Sequence, residues 1–205
     1  MEKMLVKVLV LGVLTVSGCR SPADSSACDY MFERNADGVT ITGYKKTPTK
    51  IVIPPFIQGL WVTCIGDCAF YAWATLTRTT IPVGVTNIGA HAFQECGLTS
   101  IEIPDGVKSI GAGAFQECRL TRVVFPSSVE QIDDCAFDCQ PLSIAWFRCD
   151  APRAQEWAFG RPPNPMQCYN QPSVTIYHLP NAAGWSTNFC GRPTAVWKPE
   201  EKRGK

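Results

Sequence analysis

Thiols and imidazoles are the side chains of this 205-residue sequence best able to do chemistry, and it has eleven cysteines and two histidines. A thiolate becomes a nucleophile when a histidine takes up its proton, and closely spaced thiolates can hold zinc. His91 and Cys68 are the candidate base and nucleophile. Two Cys-x3-Cys pairs could supply the four ligands of a metal site: Cys64 with Cys68, and Cys135 with Cys139.

An internal repeat of 22 or 23 residues decides where these side chains can lie. In each copy an alanine precedes a phenylalanine, an isoleucine lies five residues before that phenylalanine, and a leucine follows it. These positions are Phe70, Phe93, Phe115 and Phe137; Ile65, Ile88, Ile110 and Ile132; and Leu76, Leu98, Leu120 and Leu142. A fixed period of this length is typical of a solenoid, in which each coil buries its apolar face against its neighbours. We therefore expect a binding surface rather than a catalytic pocket.

The alternation of apolar and polar residues predicts one short strand per coil. In the second full unit Leu98, Ile101 and Ile103 are expected to point inward. Thr99, Ser100 and Glu102 then point outward, and the following proline ends the strand because it has no N–H group for the ladder. The Ala-Phe pair is expected in a short 3₁₀ or turn segment before the chain returns to the next leucine.

Coil geometry limits what the cysteines can do. Adjacent coils lie about 4.8 Å apart, so the two Cys-x3-Cys pairs are about 15 Å apart and cannot share a zinc ion whose sulfur ligands lie at about 2.3 Å. Cys96 and Cys118 occupy the same position in adjacent coils, which permits either a disulfide or a column of buried free thiols. Bridges in the terminal segments are a further possibility, among Cys149, Cys168, Cys190 and either Cys139 or Cys28.

The Cys–His pair has little support from the rest of the sequence. His91 occupies the repeat position of Cys68 and could lie one coil, about 5 Å, away from it. The sequence offers no third residue to orient the imidazole and no nucleophile elbow. We expect no enzymatic activity and no cofactor or metal.

The first residues resemble an export leader with a lipid-attachment site. Lys3 and Lys7 precede an apolar run at residues 8–16, which is too short to span a bilayer because a spanning helix needs about 20 apolar residues. The run ends in Val16-Ser17-Gly18-Cys19, which is similar to a bacterial lipobox. Residues 1–18 are predicted to be a lipoprotein signal peptide and Cys19 the lipidated residue. An ordinary secretory signal is the alternative.

The rest of the chain divides by composition. We expect a linker at residues 19–27, an N-terminal cap at 28–53, four coils at 54–147, a C-terminal cap at 148–199 and a charged tail at 200–205. Asn35-Ala36-Asp37-Gly38 predicts a hairpin turn within the N-terminal cap. The net charge is +1 and no basic patch is interleaved with aromatic residues, so nucleic acid is not expected as a partner.

The repeat resembles a known family. The segments Ile81 to Thr99 and Ile103 to Thr121 match the pattern Ile-Pro-x-Gly-Val-x-x-Ile-Gly-x-x-Ala-Phe-x-x-Cys-x-Leu-Thr, which is similar to the BspA-type leucine-rich repeats of bacterial surface proteins. The resemblance implies a leucine-rich-repeat solenoid with N- and C-terminal caps. It also implies a cell-surface or secreted protein, since some members are adhesins.

The outward strand positions are the predicted partner-binding face. They are Arg78, Thr80, Ser100, Glu102, Arg122, Val124, Ile144 and Trp146. Tryptophan and arginine are common interface anchors. Trp146 is the exceptional member, because an outward aromatic leaves apolar area in water. Either the C-terminal cap covers Trp146 or a partner does.

These observations lead to one functional hypothesis and one alternative. The first is a lipid-anchored protein of the bacterial cell envelope, surface-exposed or periplasmic, that binds a protein or glycan at the cell surface in the manner of an adhesin. Its only contact with the membrane is the lipid anchor. The alternative is a structural or assembly module of the envelope with no external ligand.

Overall fold

A computed structural model describes residues 29–139, 141–160 and 174–197. The predicted leader, Cys19, Cys28, Cys168 and the charged tail lie outside these residues. The strands of the described part are β1 Tyr30–Arg34, β2 Val39–Tyr44, β3 Lys50–Val52, β4 Phe56–Ile57, β5 Leu60–Ile65, β6 Arg78–Thr80, β7 Asn87–Ile88, β8 Ser109–Ile110, β9 Arg122–Phe125, β10 Gln131–Ile132, β11 Ile144–Phe147, β12 Arg153–Ala154, β13 Thr175–His178, β14 Asn188–Phe189 and β15 Arg192–Val196. This part contains no helix long and apolar enough to cross a membrane.

One parallel ladder carries the isoleucine column along the solenoid. Its sheet has the order β1-β2-β5-β7-β8-β10-β12, with β4 paired to β5, and the neighbours from β2 to β12 are parallel. The register places the four repeat isoleucines opposite one another, from Ile65 to Ile132, and each is fully buried. The predicted coil period is therefore confirmed.

Stacked phenylalanine rings fill the core beside this ladder. The rings of Phe70, Phe93, Phe115 and Phe137 are nearly parallel, with centroids of successive rings 5.0, 5.3 and 5.1 Å apart. Phe159 continues the column at 6.0 Å. The four repeat leucines are fully buried as well. The apolar positions of each coil thus form continuous columns, as expected for a solenoid.

A second ladder is formed by the strands that begin just after the repeat leucines. Strands β9, β11, β13 and β15 pair in parallel, and β3 pairs with β6. The strand predicted at residues 101–103 is absent: Ile103 is buried and Glu102 is exposed, but the segment has no strand partner. Because β6 pairs only with β3 and β9 only with β11, the intervening coil lies between two sheets rather than within one.

The solenoid is longer than the four predicted coils and has about seven turns. The predicted hairpin is present, since β1 and β2 pair antiparallel and the N–H of Asn35 donates to the carbonyl of Gly38. However, β2 also pairs in parallel with β5, and β13 and β15 continue the second ladder. Segments assigned to caps from composition therefore contribute coils.

An aromatic cluster and a buried arginine occupy the C-terminal end of the core. The indole of Trp185 packs on Phe147 and Phe189 and donates to the carbonyl of Cys149 at 3.2 Å. The guanidinium of Arg192, which is only 2% exposed, donates to the carbonyls of Phe159 and Gly160 at 2.8 and 3.0 Å. These contacts give two backbone carbonyls at this end of the core a hydrogen-bond donor.

Candidate functional site

The structure places the predicted face along the second ladder, pointing outward. On β9 the buried residues are Val123 and Phe125, and on β11 they are Ala145 and Phe147, so the residues that alternate with them point to solvent. The register pairs Arg122 with Ile144, and Val124 with Trp146. Arg78 and Thr80 flank the buried Thr79 on β6 in the same way. The eight predicted side chains are all exposed or half-buried.

The face is interrupted at the coil that contains Ser100 and Glu102. Both side chains are exposed, but their backbone belongs to no strand. At the start of this coil the N–H of Arg119 still donates to the carbonyl of Leu98 at 2.9 Å, whereas the bond from the Thr99 N–H to the carbonyl of Thr77 is long, at 3.5 Å. The outward side chains therefore lie on directly paired, neighbouring strands only from Arg122 onward.

Residues that the sequence reasoning missed extend the face at both ends. Lys50 and Val52 pair with Arg78 and Thr80, and Val52 is 72% exposed. At the other end Tyr177 pairs with Trp146, with ring centroids 6.3 Å apart. The alternation Val174-Thr-Ile-Tyr-His178 was a readable strand signal for the second of these. The first carried one as well, since Ile51-Val52-Ile53-Pro54 has the same alternation and closing proline as Ile101-Glu102-Ile103-Pro104.

Trp146 forms half of an aromatic pair at the centre of the longer part of the face. Its side chain and that of Tyr177 are each half-buried. Strand β13 lies beside β11 in the ladder, so the C-terminal segment adds a coil next to Trp146. The positively charged Arg122 lies on the neighbouring strand, opposite Ile144, which is two residues before Trp146.

Three of the eight described cysteines form a column of buried free thiols, and none of the eight is in a disulfide. The S–H groups of Cys96, Cys118 and Cys139 donate to the carbonyls of Phe70, Phe93 and Phe115 at 3.0–3.1 Å. Burial raises the pKa of Cys96 and of Cys139 to about 12 and raises that of Cys118 further. These thiols remain protonated at neutral pH and are not nucleophiles.

Bridges in the terminal segments are likewise absent among the described cysteines. Cys149 and Cys190 are free, and burial raises the pKa of each to about 11. Cys28 and Cys168, the other possible partners, lie outside the described residues. The described residues contain no group of three or more cysteine, histidine or acidic side chains close enough together to hold a metal ion.

The predicted Cys68–His91 pair belongs to a structural column of turns. Cys68, His91, Gly113 and Cys135 occupy equivalent positions and share φ values of 54°, 55°, 61° and 55°. Nδ1 of His91 is buried without a hydrogen-bond partner, and its ring covers the space above Gly113. Cys68 and His91 therefore share a left-handed turn position with the other two members of the column.

A polar recess of about 840 Å³ lies on the isoleucine ladder near the C-terminal end. Its lining includes Lys108, Glu130, Arg153 and Asp150, so positive and negative side chains alternate along it. One carboxylate oxygen of Asp150 already accepts the N–H of Ala183. The recess resembles a solvated face of mixed charge more than a site for one charged ligand.

Comparison with known families identifies the repeat. The family described as BspA type leucine-rich repeat region matches residues 63–177 in six copies, more than half of the chain. Comparison with curated protein sequences gives no match.

Solved structures of bacterial leucine-rich-repeat proteins are similar to this chain. A leucine-rich-repeat protein of T. pallidum shares 32% identity at a TM-score of 0.50, covering 58% of this chain and 69% of that protein. A leucine-rich-repeat protein of Bacteroides ovatus shares 23% identity at a TM-score of 0.47, covering 72% of this chain and 45% of that one. A leucine-rich cell surface protein of Faecalibacterium prausnitzii shares 25% identity at a TM-score of 0.37, covering 62% and 48%.

This chain thus spans less than half the length of the last two proteins. The repeat pattern, the two parallel ladders and the six-copy match agree with one another. The chain belongs to the BspA-type leucine-rich-repeat family.

Proposed function

We propose that this protein is a lipid-anchored component of the bacterial cell envelope that binds a protein or glycan partner through the face of its second ladder. The observation that carries the proposal is the outward Trp146–Tyr177 pair, flanked by Arg122 on a rigid parallel sheet. Leucine-rich repeats generally mediate protein interactions, and aromatic and arginine side chains are the residue types that dominate such interfaces.

The lipid anchor rests on the leader and on Cys19 alone. A thioether-linked lipid at Cys19 would hold the domain at a membrane surface, and the residues up to position 27 would serve as a spacer. Palmitate labelling of wild-type cells and of a Cys19→Ala variant tests this step. Equal labelling of the two forms would contradict it.

Partner binding is tested by removing the face while preserving the core. In the variant Arg78→Ala, Glu102→Ala, Arg122→Ala, Trp146→Ala every changed side chain points outward, so the fold should persist. We expect partner capture from the surface of neighbouring or host cells to be lost, with an unchanged unfolding midpoint.

The chain offers a control with matched charge. The control variant is Lys108→Ala, Glu130→Ala, Arg153→Ala, at exposed positions along the isoleucine ladder. It removes two positive charges and one negative charge, the same charges that the face variant loses at Arg78, Arg122 and Glu102. Capture should survive in this control. Loss in the control with retention in the face variant would move the site to the isoleucine ladder.

Location decides which partners the face can meet. Protease treatment of intact cells, followed by blotting for this protein, should remove the signal if the solenoid is outside the cell. Protection until the envelope is opened would place it in an internal envelope space. An oligomeric mass in non-denaturing detergent would then favour the assembly module over an external ligand.

A further inference from the structure

An exposed aromatic pair occupies the N-terminal part of the solenoid, on strands that belong to the isoleucine ladder and not to the second ladder. It lies on a hairpin in which β4 and β5 pair antiparallel, with Phe56 directly opposite Trp61. The two loop residues, Gln58 and Gly59, have φ values of 52° and 76°, as a two-residue type I′ turn requires. Ile57 anchors the hairpin in the core, so the two rings are held in place.

The two rings form a platform in solvent. Their centroids are 3.9 Å apart and their planes are tilted by 42°, so the rings pack on each other and offer their outer sides to solvent, with Phe56 43% and Trp61 50% exposed. The indole also borders the next coil at Gly84, where a Cβ atom would lie 3.3 Å from the ring. The glycine therefore leaves the edge of the indole uncovered by any side chain at that position.

Hydrogen-bonding groups border the platform. Thr63 points to the same side as Trp61, because Val62 between them is fully buried. The side-chain amide of Asn35 donates to the hydroxyls of Thr40 and Thr63 at 2.9 and 3.1 Å and accepts the N–H of Asp37 at 2.9 Å, and the hydroxyl of Thr86 donates to the Thr63 carbonyl at 3.3 Å. The amide and hydroxyl oxygens each have two lone pairs, so they can accept from a ligand hydroxyl as well. At the loop, the guanidinium of Arg34 donates to the amide oxygen of Gln58 at 3.4 Å.

The size of the platform argues against a protein occupant. An aromatic side chain carries about 150–250 Å² of surface, so two half-exposed rings offer on the order of 200 Å². A stable protein interface or dimer needs about 800 Å² on each partner. A ligand of a few rings would cover the platform completely. A protein partner would need about 600 Å² of additional contact surface around it.

The chemistry of the border identifies the ligand class. An apolar ring face with amide and hydroxyl groups on its Thr63 side and at the hairpin loop complements a pyranose, which has C–H groups on its faces and hydroxyls around its edge. We propose that the Phe56–Trp61 platform binds an uncharged saccharide, stacked on the indole and hydrogen-bonded along the side of Thr63 and Asn35. This site is separate from the face of Trp146, and its test does not depend on the proposed function.

The test uses the whole chain and three soluble probes: chitohexaose, cellohexaose and maltohexaose. Saturation-transfer NMR shows whether each saccharide binds, and titration calorimetry gives its Kd. We expect at least one probe to bind. Trp61→Ala should weaken its binding about tenfold or more, equivalent to ~1.4 kcal/mol. Trp61→Phe, which keeps a stacking face, should retain most of the affinity.

Two controls separate this site from folding defects and from exposed aromatic residues in general. Tyr71→Ala removes another exposed aromatic, 45% accessible, that belongs to neither the platform nor the partner face, and it should leave saccharide binding unchanged. Phe56→Leu tests the platform by a second route and should weaken saccharide binding while the unfolding midpoint stays close to that of wild type. The proposal is overturned if none of the three saccharides binds, if Tyr71→Ala weakens binding as much as Trp61→Ala, or if Trp61 instead controls a dimer in sedimentation experiments.

Discussion

Thr79 places a hydroxyl group in the core of the second ladder. Its side chain is 6% exposed, and its oxygen has no hydrogen-bond partner within the described residues. The equivalent positions on β9 and β11 are Val123 and Ala145. A buried hydroxyl without a partner costs about 1–3 kcal/mol. The repeat alignment places Thr79 between the outward Arg78 and Thr80, at the inward position that Ile101 holds in the next coil, and the structure shows this threonine buried.

Thr79→Val should therefore stabilise the fold. Valine keeps the shape of threonine and removes the unsatisfied oxygen, so we expect the free energy of unfolding in urea to rise by about 1 kcal/mol. The matched control is Thr80→Val on the exposed side of the same strand, which should change it by less than about 0.5 kcal/mol. A lower midpoint for Thr79→Val would show that the hydroxyl has a partner.

The buried thiols predict how stability changes with pH. An unfolded cysteine ionises near its ordinary pKa of 9.0, whereas burial raises the pKa of Cys96 and Cys139 to about 12. Between these values the folded state binds more protons than the unfolded state, so stability falls as pH rises from about 9 to 12 and is fully present below that window. Cys139→Ala should make this decline shallower in urea unfolding measured across the window. Identical slopes for wild type and variant would contradict the assignment.

At the scale of the element, the turn column shows how neighbouring coils constrain one another. Gly113 has φ of 61°, and a Cβ atom there would lie 2.5 Å from Nδ1 of His91. The other column members are not glycine, so the backbone tolerates a side chain in this conformation. At Gly113 the imidazole occupies the space that a side chain would need.

Gly113→Ala should cost about 2 kcal/mol of folding free energy, from the left-handed backbone and the contact with the ring. In a His91→Ala background the contact is absent, so the same change should cost about 1 kcal/mol less. A double-mutant cycle by chemical denaturation measures this coupling. Additive effects would mean that the ring moves aside freely.

How much of these elements the sequence predicts depends on where the determining contacts lie. The isoleucine, phenylalanine and leucine columns are periodic, so their burial follows from spacing alone. The absence of a strand at residues 101–103 does not follow from spacing, because a strand forms only where an adjacent coil offers hydrogen-bonding partners in register. The Phe56–Trp61 hairpin was missed because Gln58 is an unusual residue for a left-handed turn position.

At the scale of the whole molecule, stability depends on closing the ends of the core. Arg192 does this at the C-terminal end by donating to the carbonyls of Phe159 and Gly160. Burial lowers the pKa of its guanidinium below the ordinary value, which indicates that the charge is desolvated. Composition alone suggested a cap in this region and gave no reason to select this arginine.

Arg192→Met should destabilise the protein by about 2–4 kcal/mol, because two buried carbonyls lose their donor while the apolar volume is kept. Chemical denaturation checks the value. Arg153→Met, at an exposed position of β12, is the control and should have little effect. An unchanged midpoint for Arg192→Met would show that water satisfies these carbonyls.

The partner-binding residues were predicted as a pattern of outward positions, and the structure places them outward. That these residues bind a partner stays a prediction, because the shape and chemistry of the partner decide which exposed surface it contacts. Neighbours from other coils, such as Tyr177 beside Trp146, become visible only once the register is known.

One measurement tests the central claim most directly: site-specific photo-crosslinking on intact cells. A photoreactive residue replaces Arg122 on the proposed face or, as control, Glu130 on the other ladder. The account predicts a covalent adduct of defined mass from position 122 and none from position 130. An adduct from position 130 alone, or from neither position, would contradict binding through this face.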